Sequence, residues 1–345
     1  MPKTLQAASC IFLMTLLTFN NKGIYCAKAD VYIDPWKPVK NALITHAHSD
    51  HARVGMGRYL AHVLTVPVLK HRLGPDIDVQ GVQYAEPIKI NGVEFSLHPA
   101  GHIPGSAQIR VAYRGEVWVV SGDYKLEADG FSEAYQPIKC HHFITESTFG
   151  LPVYTWLPQH TVFQSINNWW QKNKEENKVS VIAGYSLGKA QRILRGLDNS
   201  FGKIYTHGAI ENTNQVLRNC GLDLPETHFI SDDTTKKELE GQVVICPPSA
   251  IGTPWMRRLG QYSTGFCSGW MALRGARRRR AADRGFVLSD HADWQGLLMA
   301  VENSEADHVY VTHGYKEIFA RFLREEKGLN ATTVDTLYEE GVSEE

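Results

Sequence analysis

The chain has 345 residues, of which 43% are hydrophobic and 21% charged, with 36 basic side chains against 37 acidic ones. That length accommodates two domains of ordinary size and that apolar share fills a core, which excludes a disordered or fibrous protein. Because the charges nearly cancel, no global field attracts a polyanion, and any nucleic-acid affinity must come from a local patch.

At the N-terminus Lys3, the apolar run "CIFLMTLLTF" and the "AKA" at 27–29 mimic a secretory signal. The run is short, and Asn20, Asn21, Lys22 and Gly23 interpose turn chemistry, so a hairpin of strands 13–19 and 24–33 is the preferred reading. No stretch approaches the roughly 18 apolar residues of a membrane span, so no membrane association is expected. Short β segments follow at 31–33, 42–45, 93–97, 108–113, 117–121 and 143–145, with Asn91-Gly92 and Arg114-Gly115 among the turns. From 151 the character changes. "TVFQSINNWW" sets Val162, Phe163, Ile166, Trp169 and Trp170 at helical spacing, and "VSVIAGYSLGKAQRILRGL" reads as strand, glycine turn and helix. Such βα alternation predicts a layered α/β unit. Beyond 285 a short strand, a helix over 294–302, a strand over 308–312 and a helix over 315–327 complete the pattern. The six cysteines are scattered without a C-x-x-C pair, which predicts buried thiols in a reducing, cytoplasmic setting.

The stretch "LITHAHSDH" crowds His46, His48, Asp50 and His51 together after an apolar strand. Two histidines one residue apart aim their rings to one side, and the following loop swings an aspartate and a third histidine around a second point. Imidazole nitrogen and carboxylate oxygen suit zinc, or manganese as oxygen ligands increase. So short a loop cannot complete two coordination shells, and further strand ends must contribute. His102 in "HPAGHIPGSAQ" and Asp123 in "VWVVSGDYK" are the candidates, with Asp123 as the bridge between two divalent ions. His98 reads as structural. Asp34 suits the orientation of a ligand histidine through its other ring nitrogen, although before Pro35 it serves equally as a turn former.

Taken in order, Asp34, His46-x-His48-x-Asp50-His51, His102 and Asp123 resemble the four motifs of the metallo-β-lactamase fold. The resemblance implies an αββα sandwich with His46, His48 and His102 on one metal, Asp50 and His51 on the other, and Asp123 between them. "ITESTFG", "LSDHADW" and "VTHGYKE" look like the three extra motifs of the β-CASP nucleases, marked by Glu146, His291 and His313. That likeness implies an inserted α/β β-CASP domain over 151–285, between metallo-β-lactamase parts at 1–150 and 286–345. It also implies that His313 completes the second metal's shell and that His291, hydrogen-bonded to Glu146, faces the scissile phosphate. Without it, His313 is a strand-end histidine and "SD" before His291 a helix cap.

In such a centre two divalent ions lower the pKa of a bound water and offset charge on the phosphoryl oxygens, while His291 is the candidate acid for the leaving group. Asp50, Asp123, Glu146 and His291 are therefore the expected catalytic set. For the substrate, Ser186, Gly188 and Lys189 form a strand-to-helix turn that offers an anion site, although a glycine before a helix is usually only a cap. Arg274, Arg277 and Arg278 belong to "WMALRGARRRRAADR", whose six arginines face one aspartate, although a solvated helix face would look the same. Residues 20–325 are similar to the bacterial ligase-associated DNA exonuclease family, in "KGIYC", "VYIDPWKPV", "SGWM" and "DRGFVLSDHADW" among others. The resemblance implies exonucleolytic DNA hydrolysis in repair, with an ATP-dependent DNA ligase and a large helicase as partners. The DNA-processing β-CASP branch carries valine where this chain has His313, so an RNA-processing ribonuclease of the messenger-RNA end type is the alternative. A non-catalytic nucleic-acid scaffold would need broken metal motifs, and a small-molecule hydrolase would have no use for the middle domain. Residues 1–12 fall outside the likeness and read as an unstructured leader.

Overall fold

A computed structural model describes residues 15–273, 275 and 282–336. The supposed leader, Cys10 and the start of the first expected strand lie outside the described residues, as do Arg274, Arg277 and Arg278.

Strands β1 (Thr18–Asn20) and β2 (Gly23–Cys26) pair antiparallel. The expected second arm over 24–33 is not continuous. Ala29 donates its N–H to the Cys26 carbonyl and Asp30 adopts φ 55°, which reverses the chain into β3 (Val31–Ile33), antiparallel to β2. Next come β4 (Asn41–Leu43), β5 (Arg58–His62), helix α1 (Thr65–Leu73) and β6 (Val79–Val82), the strands adding in parallel to make a six-stranded sheet. A second sheet starts as an antiparallel meander of β7 (Ile88–Ile90), β8 (Val93–Pro99), β9 (Ala107–Tyr113) and β10 (Glu116–Val120). Its two tight turns have positive φ at both central residues, Asn91 and Gly92, then Arg114 and Gly115, which is the twist that hairpin strands require. β11 (His142–Thr145) then joins β10 in parallel.

After α2 (Gln159–Glu175) the chain builds a third sheet from β12 (Val179–Ala183), α3 (Lys189–Gly196), β13 (Ile204–Thr206), α4 (Gly208–Asn219), β14 (His228–Phe229), α5 (Lys236–Leu239), β15 (Val243–Cys246), β16 (Tyr262–Cys267) and β17 (Arg284–Phe286). Its order is β14-β13-β15-β12-β16-β17, and every pairing is parallel. β12 and β15 are buried at every residue, the mark of a parallel sheet covered on both faces. α6 (Trp294–Ser304), β18 (His308–Val311), α7 (Lys316–Glu325) and β19 (Asn330–Thr333) return to the second sheet, where β18 lies beside β11.

The first two sheets share one core, in which Ile33, Leu43 and Leu60 meet Phe95, Ile109 and Trp118. Burying each such side chain contributes about 1.5–3 kcal/mol. Trp294, Leu297 and Phe319 of α6 and α7 cover the outer face of the second sheet, and Val68 and Leu69 of α1 cover the first, giving helix, sheet, sheet, helix. No helix among the described residues is long and apolar enough to cross a membrane. The carboxyl ends of β3, β4, β8, β10, β11 and β18 open toward one edge, and those of β12, β16 and β17 reach the same place from the third sheet. Open parallel sheets receive ligands at such ends.

Candidate metal centre

Asp34 stands directly after β3 with φ 42° and accepts from the Thr45 backbone N–H at 2.8 Å and from its hydroxyl at 2.5 Å. Having given its only proton to Asp34, the Thr45 hydroxyl accepts from His46 Nδ1–H at 3.1 Å. His51 Nδ1–H donates to Asp34 Oδ2 at 2.7 Å. His48 Nε2 faces the Leu187 carbonyl at 3.2 Å and His102 Nδ1 faces the Asp290 carbonyl at 2.8 Å. A carbonyl is satisfied only by an N–H, so the outer nitrogen of all four rings carries the proton. The inner nitrogens of His46, His48 and His102 are left with their lone pairs converging.

The spacing of those lone pairs decides what they can hold. His48 Nδ1 lies 3.1 Å from His46 Nε2 and 3.0 Å from His102 Nε2, and Asp123 Oδ2 lies 3.4 Å from His46 Nε2 and 3.8 Å from His102 Nε2. A tetrahedral zinc with bonds of about 2.0–2.1 Å puts neighbouring ligand atoms roughly 3.3 Å apart, which these separations bracket. Burial, reinforced by the neighbouring imidazoles, pushes His46 and His102 well below the usual imidazole range, and burial lowers His48 as well. Neutral rings are what a metal requires.

Asp123 turns its other oxygen to a second set. Oδ1 is buried without a hydrogen-bond partner among the described residues, 3.4 Å from His51 Nε2. Such an orphaned carboxylate oxygen is satisfied by a cation. Donor atoms of His51, Asp123 and His313 lie within 4.8 Å of one another, and Asp50 Oδ2 is 3.7 Å from His51 Nε2 and 3.9 Å from His313 Nε2. The His51 and His313 rings stack at 5.3 Å. Burial disfavours charge on Asp50, yet His51 and His313 hold its carboxyl below the ordinary range. Burial likewise opposes a proton on His51, but Asp123 and Asp50 outweigh it and raise that ring well above its usual value. The turn that presents His313 depends on Gly314, whose φ is 63°; a Cβ there would lie 2.4 Å from the Ser147 carbonyl oxygen.

Beside this centre His291 Nδ1 lies 3.0 Å from both oxygens of Glu146. Glu146 also accepts from Tyr124 N–H at 2.9 Å and from the Thr148 hydroxyl at 2.5 Å. Burial works against protonation of His291, but Glu146 and Asp123 raise its pKa to about 9. All of this lines a cleft of about 800 Å³ whose walls include Arg72, Phe149, Ser186 and Trp270.

The structure brings together every residue expected to hold metal and sets Asp34 on His51. His98 stands apart, between Ser96 Oγ and Gln136 Oε1. The anion site expected at the start of α3 needs correction. Gly188 N–H donates to Gln191 Oε1 at 2.7 Å, and Lys189 Nζ, on a side chain 5% exposed, lies 2.8 Å from Asp290 Oδ2. A cation held by a buried carboxylate is not free to meet a phosphate. Ser186 and Lys189 both line the cleft, Lys189 with its ammonium group committed to Asp290. Three partners had no sequence signal of their own: the Thr45 hydroxyl and the carbonyls of Leu187 and Asp290. Thr45 and Asp290 do adjoin marked histidines. Of the cysteines, Cys26, Cys140, Cys246 and Cys267 are buried free thiols, whereas Cys220 is only partly covered.

No family model matches the chain. A probable DNA ligase from Opitutus terrae is 32% identical over 319 residues, covering 90% of this chain and 30% of that relative. Endoribonuclease YSH1 of Saccharomyces cerevisiae is 26% identical over 122 residues, 35% of this chain and 15% of the relative. Cleavage and polyadenylation specificity factor subunit 3 of Dictyostelium discoideum matches at 26% over 122 residues, 35% of this chain and 16% of its own length. The chain therefore spans less than a third of the length of each of them. A crystal structure of a protein of unknown function from Enterococcus faecalis V583 shares the fold at a TM-score of 0.57 and 10% identity, over 86% of this chain and 79% of that one.

Proposed function

We propose that the chain is a two-metal DNA exonuclease that hydrolyses phosphodiester bonds in repair, working with an ATP-dependent DNA ligase. The observation that carries this reading is the pair of donor sets sharing Asp123, with the His291–Glu146 pair beside them in an open cleft. The similarity of nearly the whole chain to a probable DNA ligase supports DNA and the ligase partner. In this reading metallo-β-lactamase parts at 1–150 and 286–345 flank a β-CASP-type insertion over 151–285, which supplies the third sheet except for Phe286 at the end of β17. We place the protein in the cytoplasm, where free thiols such as Cys26 and Cys140 stay reduced.

His46, His48, His102 and Asp123 would hold one divalent ion, and Asp123, Asp50, His51 and His313 the other. Zinc suits the nitrogen-rich first set, and zinc or manganese the second. Such ions supply Lewis acidity, to a water and to the phosphoryl oxygens. The protein's own groups do the rest. Asp34 and Thr45 fix the rings of His46 and His51. Glu146 keeps a proton on His291 Nδ1, so that the ring stays cationic and its Nε2–H is available to the departing oxygen of the cut strand.

A second reading, an RNA-processing endoribonuclease, rests on the 122-residue similarity to YSH1 and related factors. Digestion of end-labelled single- and double-stranded DNA and RNA of one sequence, after chelation and with zinc or manganese returned, separates the two. DNA shortened stepwise from its ends only when an ion is restored is the expected result. Internal cuts confined to RNA would favour the second reading, and no cleavage with either ion would overturn both.

A further inference from the structure

Residues 288–291, which carry His291, are gripped from the third sheet by buried charges. Besides its pairing with Asp290 Oδ2, Lys189 Nζ donates to the Leu288 carbonyl at 3.0 Å. Arg192, also on α3, sets Nη1 3.1 Å from Asp290 Oδ1 and donates to the Ser289 carbonyl. A second carboxylate, Asp129, binds Lys125 Nζ at 2.6 Å and lies 3.9 Å from Arg192 Nε. None of these five side chains is more than 5% exposed. Charges this far from water are costly, and well-packed apolar replacements of buried ion pairs often leave a fold as stable or more so. Stability alone therefore gives no reason for the cluster.

What the cluster touches does give one. Asp290 offers its carbonyl to His102 Nδ1–H, and the neighbouring residue is His291. His102 sits in a buried loop whose Gly101 and Gly105 both have positive φ, and among the described residues the one hydrogen bond that its outer ring nitrogen makes is to that carbonyl. Its aim comes from that carbonyl. The turn between β12 and α3 also presents the Leu187 carbonyl to His48 Nε2–H. Two segments, the turn between β12 and α3 and residues 288–291 clamped to α3, thus govern the outer nitrogens of two of the three histidines in the first donor set. We propose that Lys189 and Arg192 are positioning residues: by clamping Asp290 they aim His102 Nε2 into the donor set and hold His291 against Glu146. The inference rests on the metal reading above and assigns to Lys189 a task other than phosphate contact.

Zinc affinity of the full chain, measured by competition with a chelating dye, tests the clamp alongside kcat and KM. Partners behind a ligand histidine are worth roughly 10–100-fold in metal affinity or activity. Lys189→Met is expected to weaken zinc binding by that order and to lower kcat with KM unchanged, and Lys189→Arg to restore much of both. Wild-type zinc affinity with a raised KM in Lys189→Met would overturn the proposal in favour of a substrate contact. Should the single variant fail to fold, Lys189→Met combined with Asp290→Asn removes both charges. Weakened zinc binding in the folded double variant supports the clamp; wild-type affinity, or failure of the double variant to fold, overturns it. Wild-type protein that takes up no zinc defeats the metal reading itself. The clamp is then read from nitrogen-15 spectra of the metal-free chain. His102 held as the Nδ1–H tautomer in wild type and mixed in the variant supports it, and the same tautomer in both overturns it.

Discussion

Asp123 gives one oxygen to each donor set, whereas His291 is bound to Glu146 and stands to the side. Removing either therefore has a different effect. Asp123→Ala is expected to lose bound metal and activity together. His291→Ala should keep its metal, as measured by atomic absorption, and lose roughly 10²–10⁴-fold in turnover, the usual share of a general acid. Equal metal loss in both variants would sink that division. At this scale much could be read from the sequence, because His46, His48, Asp50 and His51 are neighbours whose types and spacing already limit the chemistry. Thr45 could not, since a threonine at a strand end is ordinary until Asp34 is seen beneath it. Lys189 misled for a related reason: its partner Asp290 lies far along the chain, and a lysine at a helix start has the same local appearance whether it faces solvent or a buried carboxylate.

Among the elements, the strands that lead to His46, Asp123, Glu146 and His313 were legible from short apolar runs followed by polar residues. β5, α1 and β6 were not. α1 contains Thr65, Val66, Pro67 and Val68, β-branched residues and a proline that argue against a helix, yet Pro67 falls in the first turn, where its missing N–H costs no helical hydrogen bond. The arm over 24–33 was drawn too long because Asp30 hides a turn among strand-forming residues. The end of β5 carries a pH dependence of its own. His62 is 3% exposed and stacks on Tyr84 with ring centroids 3.6 Å apart, and burial lowers its pKa from 6.5 to about 4. Below 6.5 the unfolded chain binds a proton that the folded chain refuses until about 4. Its contribution is thus intact above the upper value and fades as the pH falls toward the lower one. Urea unfolding at pH 7 and pH 5 should show His62→Gln losing less stability than wild type, by on the order of 1 kcal/mol after solvent screening. Identical losses would show that His62 is free to protonate in the folded chain.

For the molecule as a whole, the centre joins the first two sheets, touches the turn after β12 of the third through the Leu187 carbonyl, and meets the segment beyond β17 through the Asp290 carbonyl. An ion held by the folded chain and not by the unfolded one stabilises by mass action, by about 2.7 kcal/mol at a hundred times its dissociation constant. Chelation should accordingly lower Tm by several degrees, and returned zinc should restore it; an unmoved Tm would count against any tightly held ion. A change of periodicity near 151 and 285 could be read from the sequence, because helical and strand spacing differ locally. How the third sheet docks was not visible, since it depends on contacts between residues remote in sequence such as Lys189 and Leu288. The order in which donors occur along the polypeptide has a further effect during synthesis. His46 to His51 leave the ribosome before the six strands of the third sheet, and His313 leaves after all of them. A nascent chain halted in between lacks the ring that stacks on His51, and its second donor set is incomplete. Translation itself thereby delays completion of the second donor set until the third sheet has been made.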